Sequence, residues 1–140
     1  MTVDHEKIRQ KLHFMREKLR MLEQFKGMDK KQFTAKPFTE DAAIRMLQVA
    51  IEAMLDICAH IIAREGWGMP KTYVEIIEVA NKEGLIPDEL VDTYKNMARF
   101  RNRVIHLYNK VDADEIINVI NSHLDDFKPF IAKVMVDYLS

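Results

Sequence analysis

Four residues able to do chemistry fall within eight positions: Arg101, Asn102, His106 and Tyr108. An arginine offers a permanently charged, planar fork that fits phosphate. An imidazole exchanges protons near neutral pH. Around them, the stretch from Thr93 to Val111 holds no acidic residue but carries Lys95, Arg99, Arg101, Arg103 and Lys110. In a chain of net charge −1 this is a concentrated positive patch. An anion is its natural counterpart, phosphate being the commonest, and nucleic-acid binding would follow from the same charges. The overall balance excludes a protein coated in positive charge.

The elements that must hold these residues are legible as apolar stripes at three- and four-residue spacing, the signature of amphipathic helices. The first runs Ile8, Leu12, Met15, Leu19 and Leu22. The second runs Ala43, Leu47, Ala50, Met54, Ile57 and Ile61, with a further stripe of Ile44, Ile51, Leu55, Cys58 and Ile62. A helix apolar over so wide an arc must be covered on two sides. The third is short, with Tyr73, Ile76, Ile77 and Ala80, and the fifth runs from Ile117 through Leu124 and Phe127 to Tyr138. The fourth begins with Leu90, Tyr94 and Met97 and continues through Arg101, Val104 and Tyr108, so an arginine stands where a leucine is expected. A half-buried guanidinium needs a partner. That partner is a bound phosphate or a carboxylate of another helix, and Glu52 and Asp56 on the second helix are the candidates.

At about 100° per residue, Arg101 and Tyr108 nearly align, while Asn102 and His106 form a separate pair roughly 100° or more away. The four converge only at a groove floor, at a distorted helix end or across a dimer axis. The dimer is favoured, because the second helix has a spare apolar face to bury.

Breakers set the boundaries. Gly27 closes the first helix, Pro37 precedes the second, Gly66, Gly68 and Pro70 part the second from the third, and Gly84 and Pro87 part the third from the fourth. Thr39 is the expected N-cap of the second helix. Asp112 with Glu115 reads as a capping box, with Val111 stapled behind it. Pro129, inside the fifth segment, is expected to kink it. Short loops favour antiparallel neighbours. The predicted fold is all-α: an up-and-down bundle of four long helices and one short one, forming a single domain over residues 1–140. The lone Cys58, the charged N-terminus and the lack of any apolar run near the roughly 18 residues of a membrane span predict a cytoplasmic protein. Glu52, Asp56 and His60 share one helix at four-residue spacing, a pattern more in keeping with positioning the fourth helix than with a metal site.

The segment Arg101-Asn102-Arg103-Val104-Ile105-His106-Leu107-Tyr108 resembles the HEPN signature: Arg, four residues of which the first is often polar, His, one residue, then Tyr. More narrowly, the chain resembles the HepT family of minimal HEPN toxins. The likeness extends to Ala50 through Ile62, to Gly66-Trp67-Gly68-Met69-Pro70 and to Met97 through Asn102, spanning roughly residues 40 to 110. Leu107 departs from relatives that often carry an acidic or small residue there, at a position that varies.

The resemblance implies a helical homodimer and a toxin acting as a metal-independent endoribonuclease, with no cofactor. It implies a partner, a nucleotidyltransferase antitoxin of the MntA type, and makes Tyr108 the acceptor of silencing AMP groups. In such an enzyme His106 would serve as acid or base. Arg101 would clamp the phosphate, supported by Asn102, Glu52 and Asp56, with Arg99, Arg103 and Lys110 as further phosphate contacts. Cleavage through the 2′-hydroxyl would leave cyclic phosphate ends. The competing reading is a HEPN-like module that binds a nucleotide or a partner and cleaves nothing.

Overall fold

The chain begins with a helix whose four-residue apolar rhythm leaves one face to bury, and that face lies on the longest helix of the molecule. The computed structural model describes residues 2–106 and 111–140. Among these, the helices are α1 (His5–Glu23), α2 (Lys30–Thr34), α3 (Pro37–Glu65), α4 (Tyr73–Lys82), α5 (Val91–His106), α6 (Ala113–Ser122) and α7 (Lys128–Tyr138). Short 3-10 turns precede α5 (Asp88–Leu90) and α7 (Leu124–Phe127).

Asp4 and Lys11 of α1 meet His60 and Asp56 of α3, Tyr73 and Glu78 of α4 meet Arg101 and Lys95 of α5, and Arg103 of α5 meets Glu115 of α6. The first two pairs are therefore antiparallel. The all-helical fold is as the stripes predict.

α3 is the shared wall. α1, α2, α4, α5 and α6 all pack against it, and thirteen of its residues are buried, among them Ala50, Ile51, Met54, Ile57, Cys58 and Ile61. Both of its apolar stripes are covered by the chain's own helices, so the expected spare face is not there. Burial also pushes the Cys58 thiol far above its ordinary range, which leaves it protonated and inert. By length and composition α3 is apolar enough to cross a membrane, contrary to the expectation that no segment comes near this, but 67% of the relevant window is buried in the bundle.

Several boundaries differ from expectation. Thr39 lies inside α3, which begins at Pro37 with Pro in its first turn and Lys36 at the N-cap. Proline needs no amide partner there and carries the right φ, so the helix starts earlier than a threonine cap would place it. α2 was not expected: Asp29 and Gln32 form a capping box around a single turn whose Phe33 is fully buried. Asp112 does cap α6, but it accepts the Asp114 amide, and Glu115 turns to Arg103 instead of back to the cap. The fifth segment is two helices. It breaks at His123–Phe127, and Pro129 sits in the first turn of α7, where it kinks nothing. The break is held by Tyr94, whose hydroxyl donates to the Asp126 carbonyl at 2.6 Å while its ring lies against Phe127 and Phe130. Gly66 ends α3 with φ 72°, the left-handed position glycine adopts without penalty.

His60 ties the start of α1 to α3: its Nε2 accepts the Asp4 amide at 3.0 Å. Desolvation, then the nearby Lys7 and Arg64, lower its pKa from the ordinary 6.5, against a weaker opposing pull from the Asp4 carboxylate. The folded chain thus resists a proton that the unfolded chain accepts below about pH 6.5, so stability falls as pH drops through that value. Urea midpoints should decline between about pH 7 and 5, and His60→Gln should decline less over the same range. An equal decline in the variant would show that His60 contributes nothing to it.

Candidate active site

Three helices meet at Arg101. Its apolar stripe carries it inward, to a side-chain exposure of 19%, against Glu52 of α3 at 25%. Nε and Nη2 each lie 2.8 Å from Glu52 Oε2, and Nη1 donates to Asn102 Oδ1 at 3.3 Å. Tyr73 closes a third side, its ring centroid 4.9 Å from the guanidinium carbon, a cation–π contact. Tyr73 is the first residue of α4. It is placed by the loop after Gly66 and by Thr72, which caps the helix by accepting the Glu75 amide at 3.1 Å.

A guanidinium has five N–H donors. Two go to Glu52 and one to Asn102. Among the described residues, one N–H on each terminal nitrogen stays outside these bonds, donors of the kind a phosphate accepts. Glu52 fixes the inner edge and Tyr73 fixes the plane.

Of the two expected carboxylates, only Glu52 takes the arginine. Asp56 pairs instead with Lys11 of α1 at 3.3 Å. Both line a cleft of about 300 Å³ between α1 and α3, with Gln10 and Phe14. Glu52, Asp56 and His60 are each committed to a different partner: Arg101, Lys11 and the Asp4 amide.

His106 is the last residue of α5 and is exposed. Five residues on from Arg101, it lies roughly 140° around the helix, so the two side chains leave α5 on different faces. Arg99 donates to Asn96 Oδ1 at 3.0 Å, Arg103 bonds Glu115, and Lys95 pairs with Glu78 at 3.6 Å. Part of the positive patch is thus neutralised by α4 and α6. Tyr108 and Lys110 lie outside the described residues. Tyr73 was read from the sequence as a core position; the signal that would have marked it is an aromatic at the first residue of a helix that follows a glycine-rich loop.

An all-helical bundle with arginine, four residues, histidine, one residue and tyrosine at the end of the fourth predicted segment defines the HEPN class of domain. Within that class, the family described as Ribonuclease HepT-like matches residues 15–134, and the chain belongs to it. It is 32% identical over 103 residues to the mRNA nuclease HepT of Shewanella oneidensis, covering 74% of this chain and 77% of that protein. It is 24% identical over 90 residues to the tRNA nuclease HepT of Aphanizomenon flos-aquae, covering 64% and 61%. Among solved structures, it superposes with a TM-score of 0.85 and 28% identity on a tri-AMPylated Shewanella oneidensis HEPN toxin in complex with MNT antitoxin, covering 94% of this chain and 98% of that one.

Removing Glu52 strands a half-buried cation. Glu52→Ala should cost about 2 kcal/mol, less than a fully buried pair because water reaches both partners. Glu52→Gln, which keeps an oxygen for Arg101, should cost less. Urea denaturation would measure both, and an Ala variant as stable as wild type would mean the pair is held by solvent alone.

Proposed function

We propose that this chain is the toxin of a toxin–antitoxin pair, an endoribonuclease that cuts RNA without a metal ion. The observation that carries this is the held guanidinium of Arg101, pinned by Glu52, Asn102 and Tyr73 with N–H groups beyond those bonds, in a motif that also supplies a histidine. Support comes from the names of the relatives, an mRNA nuclease and a tRNA nuclease.

In the proposed reaction a histidine takes the proton of the 2′-hydroxyl, whose oxygen attacks the adjacent phosphorus. The phosphorus–O5′ bond breaks, an acid protonates the departing 5′-oxygen, and a 2′,3′-cyclic phosphate remains. His106 acts as base or acid. Arg101 stabilises the charge that grows on the phosphoryl oxygens, and Glu52 and Asn102 position it. Asp56 acts at a distance, holding α1 to α3 through Lys11. Arg99, Arg103 and Lys110 bind flanking phosphates.

Because Arg101 and His106 diverge around α5, a working site needs a second copy of the chain, in which the arginine of one protomer and the histidine of the other face one groove. Ile105, 41% exposed beside His106, is apolar surface such a dimer would cover. This replaces the expectation that α3 supplies the interface.

Control is proposed to come from a nucleotidyltransferase antitoxin in the cytoplasm, as the neighbouring toxin's complex with an MNT antitoxin suggests. Tyr108 is the proposed acceptor of AMP.

The test is cleavage of single-stranded RNA in EDTA by the wild-type chain, with Arg101→Ala and His106→Ala alongside. Both variants should lose at least about a hundredfold in rate while keeping their fold, and the wild-type products should end in cyclic phosphate. A folded, unmodified wild-type chain that cuts no RNA would overturn the nuclease and favour a module that binds a nucleotide or partner.

A further inference from the structure

α5 has a second stripe, opposite to the one that carries Arg101. Asn96, Arg99, Arg103 and His106 recur at steps of three, four and three, so they share one side of the helix. That side does not face the α3 wall. Its first three residues line a cleft of about 320 Å³ between α5 and α6, completed by Thr93, Met97, Glu115, Asn118 and His123. The lining is mostly polar, and it begins roughly one helical turn from His106, since Arg103 lies three residues before it.

The bonds within the cleft leave it prepared for a ligand. Arg99 holds the Asn96 carbonyl oxygen, so the amide N–H groups of Asn96 remain its donors. His123 donates from Nδ1 to Asp126 Oδ2 at 2.7 Å, which fixes the ring and makes Nε2 the atom open to a further bond. Arg103 bonds Glu115, yet both side chains are about two-fifths exposed, at 42% and 38%. An ion pair so accessible to water contributes little stability. A backbone phosphodiester matches a carboxylate in charge and in its pair of charged oxygens, so it can take the carboxylate's place on the same arginine.

We propose that this cleft is a nucleotide subsite for the RNA strand. The phosphate next to the scissile one takes Arg103 from Glu115, Arg99 contacts the same backbone, and Asn118 and His123 meet the attached base. Glu115 is then a carboxylate placeholder that the substrate displaces. The proposal rests on the ribonuclease reading, and extends it to the neighbouring nucleotide and to a residue that opposes binding.

The two roles open to Glu115 differ in sign. If its pair with Arg103 only staples α5 to α6, loss of either partner weakens RNA binding or leaves it unchanged. If Glu115 is a placeholder, losing it strengthens binding. The experiment is fluorescence anisotropy of the full chain with a labelled single-stranded RNA whose 2′-hydroxyls are methylated against cleavage, titrated across a salt series. Unmodified RNA gives KM and kcat in parallel, and melting temperatures check the fold.

Glu115→Gln should bind roughly three- to fivefold tighter at low salt, the scale of one exposed ion pair. Arg103→Ala should bind more weakly and lower the slope of log affinity against log salt by about 0.7, one single-strand phosphate contact. Asn118→Ala, a substitution on the exposed face of α6, should raise KM and alter base preference without changing that slope. Folded Glu115→Gln binding no tighter than wild type would overturn the proposal. So would wild-type cleavage with KM unchanged in Arg103→Ala and Asn118→Ala, an outcome that leaves the ribonuclease standing. A wild-type chain that neither binds nor cuts RNA would remove both.

Discussion

A permanent charge set on the inward side of a helix is the constraint around which this molecule is arranged. Arg101 cannot shed its proton to suit its surroundings, so the surroundings must answer it. α3 answers with Glu52, α4 with the ring of Tyr73, and α5 itself with Asn102. Each of those residues is where it is because a helix begins, ends or turns at a particular place. The glycine-terminated end of α3 and the Thr72 cap decide where Tyr73 lies, and the register of α3 against α5 decides that Glu52, not Asp56, arrives.

The same helix serves two environments. One stripe of α5 packs into the bundle and delivers Arg101; the other looks toward α6 and carries Asn96, Arg99, Arg103 and His106. Charge is answered differently on the two sides. The inward guanidinium holds a close, partly desolvated pair, while the outward ones make exposed bonds that water and ions contest. The helix thus separates a fixed cation from exchangeable ones.

Much of this was legible in the sequence. The three-four stripes locate α1, α3, α4 and α5, and the arginine on an apolar stripe, five residues before His106, marks the candidate site. The partner of Arg101 could be narrowed to Glu52 or Asp56 because both sit on the adjoining helix at the right spacing, but choosing between them depends on interhelical register, which no periodicity encodes. The α6–α7 break was missed because Leu124 and Phe127 keep the three-four rhythm through a 3-10 turn, whose geometry is close enough to preserve the stripe. Thr39 misled because a good capping residue lies two positions past a proline that starts the helix equally well. The apparent spare face of α3 came from counting apolar positions without counting the helices available to cover them. Tyr73 was invisible as a ligand of the arginine, since an aromatic at helical spacing reads as core.

The position of α3 also bears on how such a protein changes over generations. Five helices rest on it, so an altered residue there must suit several neighbours at once, whereas one on the outer face of α1 or α7 answers to water. Substitutions should therefore accumulate on the outer helices and leave the arrangement standing. The superposition on the Shewanella oneidensis toxin keeps the arrangement over 94% of this chain at 28% identity. The architecture outlasts the residues that first built it, and the outer faces are where a lineage is free to fit new partners.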